Sequence, residues 1–230
     1  MAPQIRVISS MATRQVLADL TALFERQAGA PKVHVESVGG VDAAKRVRAG
    51  EAFDAVVLAA DTIDQLVEAG HIVRGSRADL VKSGVSIAVR AGAARPAVAT
   101  EDDVKRAVQS ARSLSYSTGP SGVHLAQMFE RWGIAEAIKD RIVQAPPGVP
   151  VGSLVADGKV ELGFQQLAEL MNLRGIDVIG PLPPAIQIIT TFSAGLSVTS
   201  QQADAVRALF GFLTSPETVQ AKRDNGMEAA

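Results

Sequence analysis

The chain has 230 residues, a formal net charge of −1 and no cysteine. That length holds one large domain or two smaller ones, each with its own core, and a hydrophobic content of 47% excludes a disordered chain. Balanced charge without a basic run argues against nucleic acid and an anionic membrane surface as partners, and the missing cysteines exclude disulfides, thiolate metal sites and cysteine nucleophiles.

Ile5 to Ser9 (IRVIS) is a short apolar, β-branched run and predicts a buried strand. ATRQVLADLTALFERQAG follows with Val16, Leu17, Leu20, Leu23 and Phe24 at helical spacing, stopped by Gly29. KVHVES alternates like a strand, and VDAAKRVRAG reads as a helix closed by Gly50. FDAVVLAA is a buried strand, and DTIDQLVEAGHI a helix ending near Gly70. This strand–helix alternation predicts a parallel sheet covered by helices.

GVSIAVRAG (84–92) is a further strand, followed by a polar helix over 101–109 with Thr100 as its N-cap. SLSYS reads as a strand, HLAQMFERWGI as a helix, DRIVQAP as a strand and VGSLVADG as a short helix. VELGFQQLAELMN starts as a strand over 160–164 and turns helical. DVIGPLPPAIQ carries Pro181, Pro183 and Pro184 and is expected to be extended and irregular. IITTFSAGLSVT is a long strand, SQQADAVRALFGFLTSP an amphipathic helix with Ser200 as N-cap, and ETVQAKRDNG a final short helix.

No repeat or polar linker divides the chain. The long strands over 85–90 and 188–198 are natural crossover points. The expected architecture is therefore α/β with two lobes: 1–84 plus 196–230 as the first, 85–195 as the second, and a ligand cleft between them.

Four segments share one pattern in which a strand ends, Ser, Thr or Gly follow, and a helix begins. They are Ser9-Ser10-Met11-Ala12-Thr13, Ser37-Val38-Gly39-Gly40, Thr118-Gly119-Pro120-Ser121-Gly122 and Gly148-Val149-Pro150-Val151-Gly152-Ser153. A helix start leaves backbone N–H groups unpaired and carries a partial positive charge. Hydroxyls add donors, and glycines let the backbone approach a ligand closely. Each loop taken singly reads as an ordinary N-cap; several together make an anion site that needs no lysine or arginine.

The order of SSMA, VGG, FDAVVLAA, SIAVR, YSTGPSG with LAQMFERWGI, GVPVGSLVADGKVELGF and the closing SAGLSVTS with ALFGFLTSPE resembles the molybdate-type periplasmic substrate-binding proteins of ABC transporters, over nearly the whole chain. The resemblance implies a type II periplasmic-binding fold, a hinge that closes on a small oxyanion or carboxylate, an ABC permease as partner, and no cofactor. It places the first contacting serine at Ser9 or Ser10, the second contact in the Ser37 to Gly40 loop, the third at Gly119 to Gly122 and the fourth at Val149 to Gly152; the candidate contacts are Ser9, Ser10, Met11, Gly39, Gly40, Thr118, Gly119, Ser121, Gly122, Pro150 and Val151. The family's tyrosine position falls at Gln165 or Gln166; amides both donate and accept, which suits a ligand with carboxylate or hydroxyl groups. The N-terminus MAPQIRVISS reads as a first strand rather than a leader, so a periplasmic location is expected if a leader has been removed and a cytoplasmic one otherwise. No stretch reaches the roughly twenty apolar residues of a membrane span, so direct membrane insertion is not expected.

A branch similar to this family is associated with aconitate isomerisation. That chemistry needs a base next to the ligand and donors for a developing enolate-like charge. His124, Glu36 and Glu169 are the candidate bases, with Tyr116 weaker because its ordinary pKa is about 10. Arg14 could pair with a ligand carboxylate. Each has a plainer reading: a solvated His124, Glu36 on a strand's outer face, Glu169 on the surface, and Arg14 paired with Asp19. His34, His71 and His124 stand far apart, so no metal site is expected. GxGxxG after the first strand, the P-loop and GxSxG are all absent.

Overall fold

A computed structural model describes residues 4–146 and 148–230. The chain divides into two compact units, Met1–Lys82 with Thr191–Ala230, and Ser83–Thr190.

The first unit opens with β1 (Gln4–Ser10), a turn of 3-10 helix (Met11–Thr13) and α1 (Arg14–Phe24). Then come β2 (Lys32–Val38), α2 (Gly40–Arg48), β3 (Ala55–Ala59), α3 (Ala60–Glu68) and the start of β4 (Ala78–Arg90). β1 pairs in parallel with both β2 and β3, as the alternation predicts. Ser9 lies opposite Ser37 on one side and Val57 on the other, so these strands end together and their helices start along one edge of the sheet. Ile8, Val56 and Leu58 bury one sheet face under Ala43, Val47, Ile63 and Leu66 of α2 and α3. Each fully buried Leu or Ile of this kind contributes about 1.5–3 kcal/mol.

The second unit holds the rest of β4, α4 (Glu101–Ser110), β5 (Leu114–Tyr116), α5 (Pro120–Arg131), α6 (Ala135–Ile138), α7 (Val151–Ala156), β6 (Leu162–Gln166), α8 (Leu167–Leu170) and β7 (Ile176–Pro181). β5 runs parallel to β6 with Tyr116 opposite Phe164, while β6 and β7 are both antiparallel to β4. Its core gathers Ile87, Val104, Leu125, Phe129, Leu162 and Phe164. The chain then returns to the first unit through β8 (Ile189–Leu196), antiparallel to β3, followed by α9 (Ala203–Leu213), α10 (Val219–Asp224) and β9 (Glu228–Ala229), the last pairing with the start of β4.

Four sequence expectations change. The DRIVQAP segment is not a strand: Lys139–Arg141 form a 3-10 turn and only the bridge Leu114–Ile142 remains. Arg141 there donates to the carbonyls of Gln109 and Ala111 at 2.8 and 2.5 Å, which pulls the backbone into the turn. The proline-rich stretch from Asp177 is more regular than expected: Pro181 pairs opposite Ser86 at a position that faces away from β4, since the next N–H, that of Leu182, donates to Val85 at 3.0 Å. A register shift at Ile87/Ala88 and Gly180 at φ 153° absorb the irregularity. β4 begins at Ala78, ahead of the predicted 84. Ser200 does not cap α9: the helix begins at Ala203, and the Ser200 hydroxyl donates to Asp54 at 2.7 Å instead.

Candidate functional site

At the edge of the first unit the Ser9 and Ser37 hydroxyls lie 2.8 Å apart, linking the ends of β1 and β2. Ser9 is fully buried; Ser10 is nearly so, with its Oγ 3.4 Å from Thr13 Oγ1. Neither hydroxyl caps a helix: no side-chain cap bond is present at Ser10, at Thr13, or at Gly39, the N-cap of α2. The first-turn N–H groups after Ser10 therefore keep their donor capacity. Met11 opens the 3-10 turn and is partly buried. A Cβ on Gly40 would stand 3.7 Å from that of Ser10, so the start of α2 lies against the end of β1. Glycine at the N-cap and first helical position of α2 supplies no side chain of its own, and the nearest side-chain atom to a Cβ at Gly39 is Asp42 Oδ2, at 3.3 Å. Asp42 does put a carboxylate in that first turn, whereas the starts of the 3-10 turn and α1 carry none.

The second unit repeats the arrangement at the end of β5. Gly119 is the N-cap of α5 and Pro120 follows it, again with no side-chain cap and no acidic residue in the first turn. Ser121 is buried, and its hydroxyl lies 3.1 Å from that of Ser117. Thr118 is exposed. Gly122 is required: a Cβ there would fall 1.6 Å from the Ser117 carbonyl oxygen. The contrast with α4 is instructive. That helix has a complete capping box between Thr100 and Asp103 and three acidic residues in its first turn, so its own side chains satisfy it. In α5 Pro120 has no N–H and the Gly122 N–H donates to the Gly119 carbonyl at 2.9 Å, so the Ser121 N–H is the first-turn donor that no side chain caps.

The fourth loop behaves differently. Pro150 is the N-cap of α7 and Val151 sends its side chain into the core. The Gly152 N–H donates to Gln165 Oε1 at 3.2 Å, so this donor is already taken. Gln165 Nε2 in turn donates to Glu169 Oε1 at 2.8 Å. Gln166, also buried, accepts from Thr190 Oγ1 and donates to Ser83 Oγ, both at 2.9 Å, tying together the first and last residues of the second unit.

The candidate bases separate clearly. Glu36 lies on β2, bound to Arg46 at 2.5 and 3.1 Å; that guanidinium holds its carboxyl below the usual range. His124 is exposed on α5. Glu169 is half-buried rather than on the surface, and burial pushes its carboxyl up to about 7 against the opposing Gln165 bond. Burial also raises Tyr116, whose ring packs edge-on to Phe129. Arg14 is exposed, and Asp19 accepts from Gln15 and Asn225 rather than pairing with it. Among the described residues no group of His, Asp or Glu could hold a metal ion, and no helix is long and apolar enough to cross a membrane. The Ser37 and Ser117 hydroxyls, which motif reading left out of the candidate contacts, are the hydrogen-bond partners of Ser9 and Ser121.

Uncapped helix starts next to hydroxyls and glycines at strand ends suit a small anion. The chain belongs to the bacterial extracellular solute-binding protein family, whose model matches residues 5–228. It is 33% identical over 232 residues to an aconitate isomerase from a Pseudomonas species, covering 97% of this chain and 87% of that one. The fold is shared with the periplasmic molybdate-binding protein of Azotobacter vinelandii, with a TM-score of 0.80 at 19% identity over 98% of this chain and 99% of that one. It is also shared with the sulfate-binding protein of Mycobacterium tuberculosis, with a TM-score of 0.77 at 14% identity over 99% of this chain and 87% of that one.

Proposed function

We propose that this chain captures a small anion, an oxyanion or more specifically a carboxylate, using uncapped helix-start N–H groups and neighbouring hydroxyls as its donors. The observation that carries the reading is the absence of side-chain caps at Ser10, Gly39 and Gly119, next to hydroxyls that bond to one another. Such starts favour negative charge by their unpaired donors and the helix dipole. A carboxylate ligand is preferred because the isomerase relative acts on a tricarboxylate and is far more similar in sequence than the oxyanion-binding structures. The family supports a location outside the cytoplasm, and the transporter-derived structures support delivery to an ABC permease.

A second reading is isomerisation of a small polycarboxylate on the same scaffold, without a cofactor. The isomerase relative favours it, as does a half-buried carboxyl with a pKa near 7. A thermal-shift panel of molybdate, sulfate, citrate, cis-aconitate and trans-aconitate tests the proposal, since a ligand that binds only the folded state raises the melting temperature. Stabilisation by the carboxylates is expected. Stabilisation by molybdate or sulfate alone would remove both the carboxylate preference and the isomerase reading.

A further inference from the structure

We propose that Glu169 is the group that moves the proton and that Gln165 positions it; this rests on the isomerase reading above. The geometry selects Glu169 from the candidates. Glu36 is committed to Arg46, and His124 is exposed on its helix. Glu169 stands in the first turn of α8, directly after β6, with one carboxyl oxygen held and the residue only partly open to solvent.

The hold on it is directional. The Gly152 N–H can only donate, so the amide oxygen of Gln165 must face it. The amide nitrogen then has to point the other way, toward Glu169 Oε1 at 2.8 Å. The backbone of the α7 start thus dictates which end of the amide meets the carboxyl. Oε1 is fixed as an acceptor, and Oε2 becomes the atom that takes and returns a proton. The elements packed around Glu169 add little charge. β6 and α7 carry no charged residue, and on β7 only Asp177 is charged, bound to Arg95 and to the Gly92 N–H. Arg174, in the loop after α8, is exposed. A carboxyl with a pKa near 7 is partly ionised at neutral pH, which suits a group that must both accept and release a proton. The parallel register of β5 and β6 brings the Ser117–Gly122 turn and the Gln165–Glu169 segment to one edge of the second unit.

The step balances without a cofactor. Glu169 takes a proton from the CH2 that lies between a carboxylate and the carbon–carbon double bond. The C–H electron pair delocalises over three carbons and onto the attached carboxylate. Glu169 then returns a proton to the far carbon, and the double bond has moved by one position. No electron is gained or lost by the ligand.

The test is incubation of the protein with cis- and trans-aconitate in D2O, followed by NMR for interconversion and deuterium uptake. Trans-aconitate affinity is measured separately by calorimetry. E169Q is expected to lose about 100-fold or more in turnover and deuterium uptake, with affinity changed less than about threefold. Q165M removes the bond that lowers the Glu169 pKa, so the rise of kcat with pH should move to higher pH; a merely structural role would lower the melting temperature and leave that rise in place. Wild-type turnover in E169Q, or loss of binding together with turnover, would overturn the assignment while the isomerase reading stands. Tight binding without turnover by the wild-type chain would overturn the isomerase reading, and the assignment with it.

Discussion

Gly122→Ala puts a methyl carbon 1.6 Å from the Ser117 carbonyl oxygen and 2.7 Å from the carbonyl carbon. Real contacts of this kind stay near or above about 3 Å, so the turn must open by roughly 1.5 Å. The obstacle is backbone, not the tip of a flexible side chain, so rotamer changes cannot relieve it. Opening separates the Ser117 and Ser121 hydroxyls, now 3.1 Å apart, and tilts the α5 start that follows Gly119. Overpacking of this type costs about 1–3 kcal/mol. For a unit of about 100 residues that corresponds to roughly 4–8 °C of melting temperature per kcal/mol. Calorimetric unfolding and anion titration of the same variant read both consequences, and affinity should fall alongside stability. Gly211→Ala is the matched control: it lies in α9 with nothing within 4 Å of the added carbon, and should stabilise by about 0.4–1 kcal/mol with affinity unchanged. Wild-type stability and affinity in G122A would refute the argument that this glycine shapes a ligand-binding turn.

Ser10→Ala and Ser121→Ala should each weaken anion binding by about 1–3 kcal/mol, a factor of roughly 5–150 in Kd. Neither hydroxyl caps a helix, so calorimetry should show little change in stability. The Glu169 carboxyl is raised from its ordinary 4.5 to about 7 by burial, so the folded state binds more protons than the unfolded state between those values. Stability should therefore fall as pH rises from about 4.5 to 7, by roughly 3 kcal/mol at most. E169Q should flatten that slope in urea titrations at pH 5 and 8; an unchanged slope would place the carboxyl's titration in its ordinary range. Asp79 has the opposite sign, because Arg77 and Ser193 hold it low, and D79N should remove stability that the wild type loses only as the solution becomes acidic.

Hydrophobic runs and glycine stops carried the alternation of strands and helices, because both act locally. The edge on which Ser9, Ser37 and Gly40 meet follows from that alternation once the strands pair in parallel. What composition hid was set by distant partners. Arg141 finds the Gln109 and Ala111 carbonyls and dissolves an expected strand. The β7 ladder accommodates its one proline because the Pro181 position faces away from β4, the next N–H, that of Leu182, being the one that bonds Val85. Whether the loop hydroxyls capped their helices or stood free for a ligand could not be read from Ser and Thr content alone, since both uses call for the same residues. The Gln165–Glu169 pair was legible only as an i, i+4 spacing across a strand-to-helix turn, and helical spacing alone assigns Glu169 to the surface. Its burial comes from β6 and β7 packing around α8, which no local pattern encodes.

If backbone donors at uncapped helix starts hold the anion, their own amide signals respond to it. The most direct measurement is an amide-resolved NMR titration of the isotope-labelled chain with trans-aconitate, with molybdate as the second titrant. The N–H signals of Met11, Ala12, Gly40 and Val41 in the first unit and of Ser121 in the second are expected to move, and those of Glu101 and Asp102 in the self-capped α4 to stay in place. Binding that shifts other amides and leaves these five unmoved would overturn the reading.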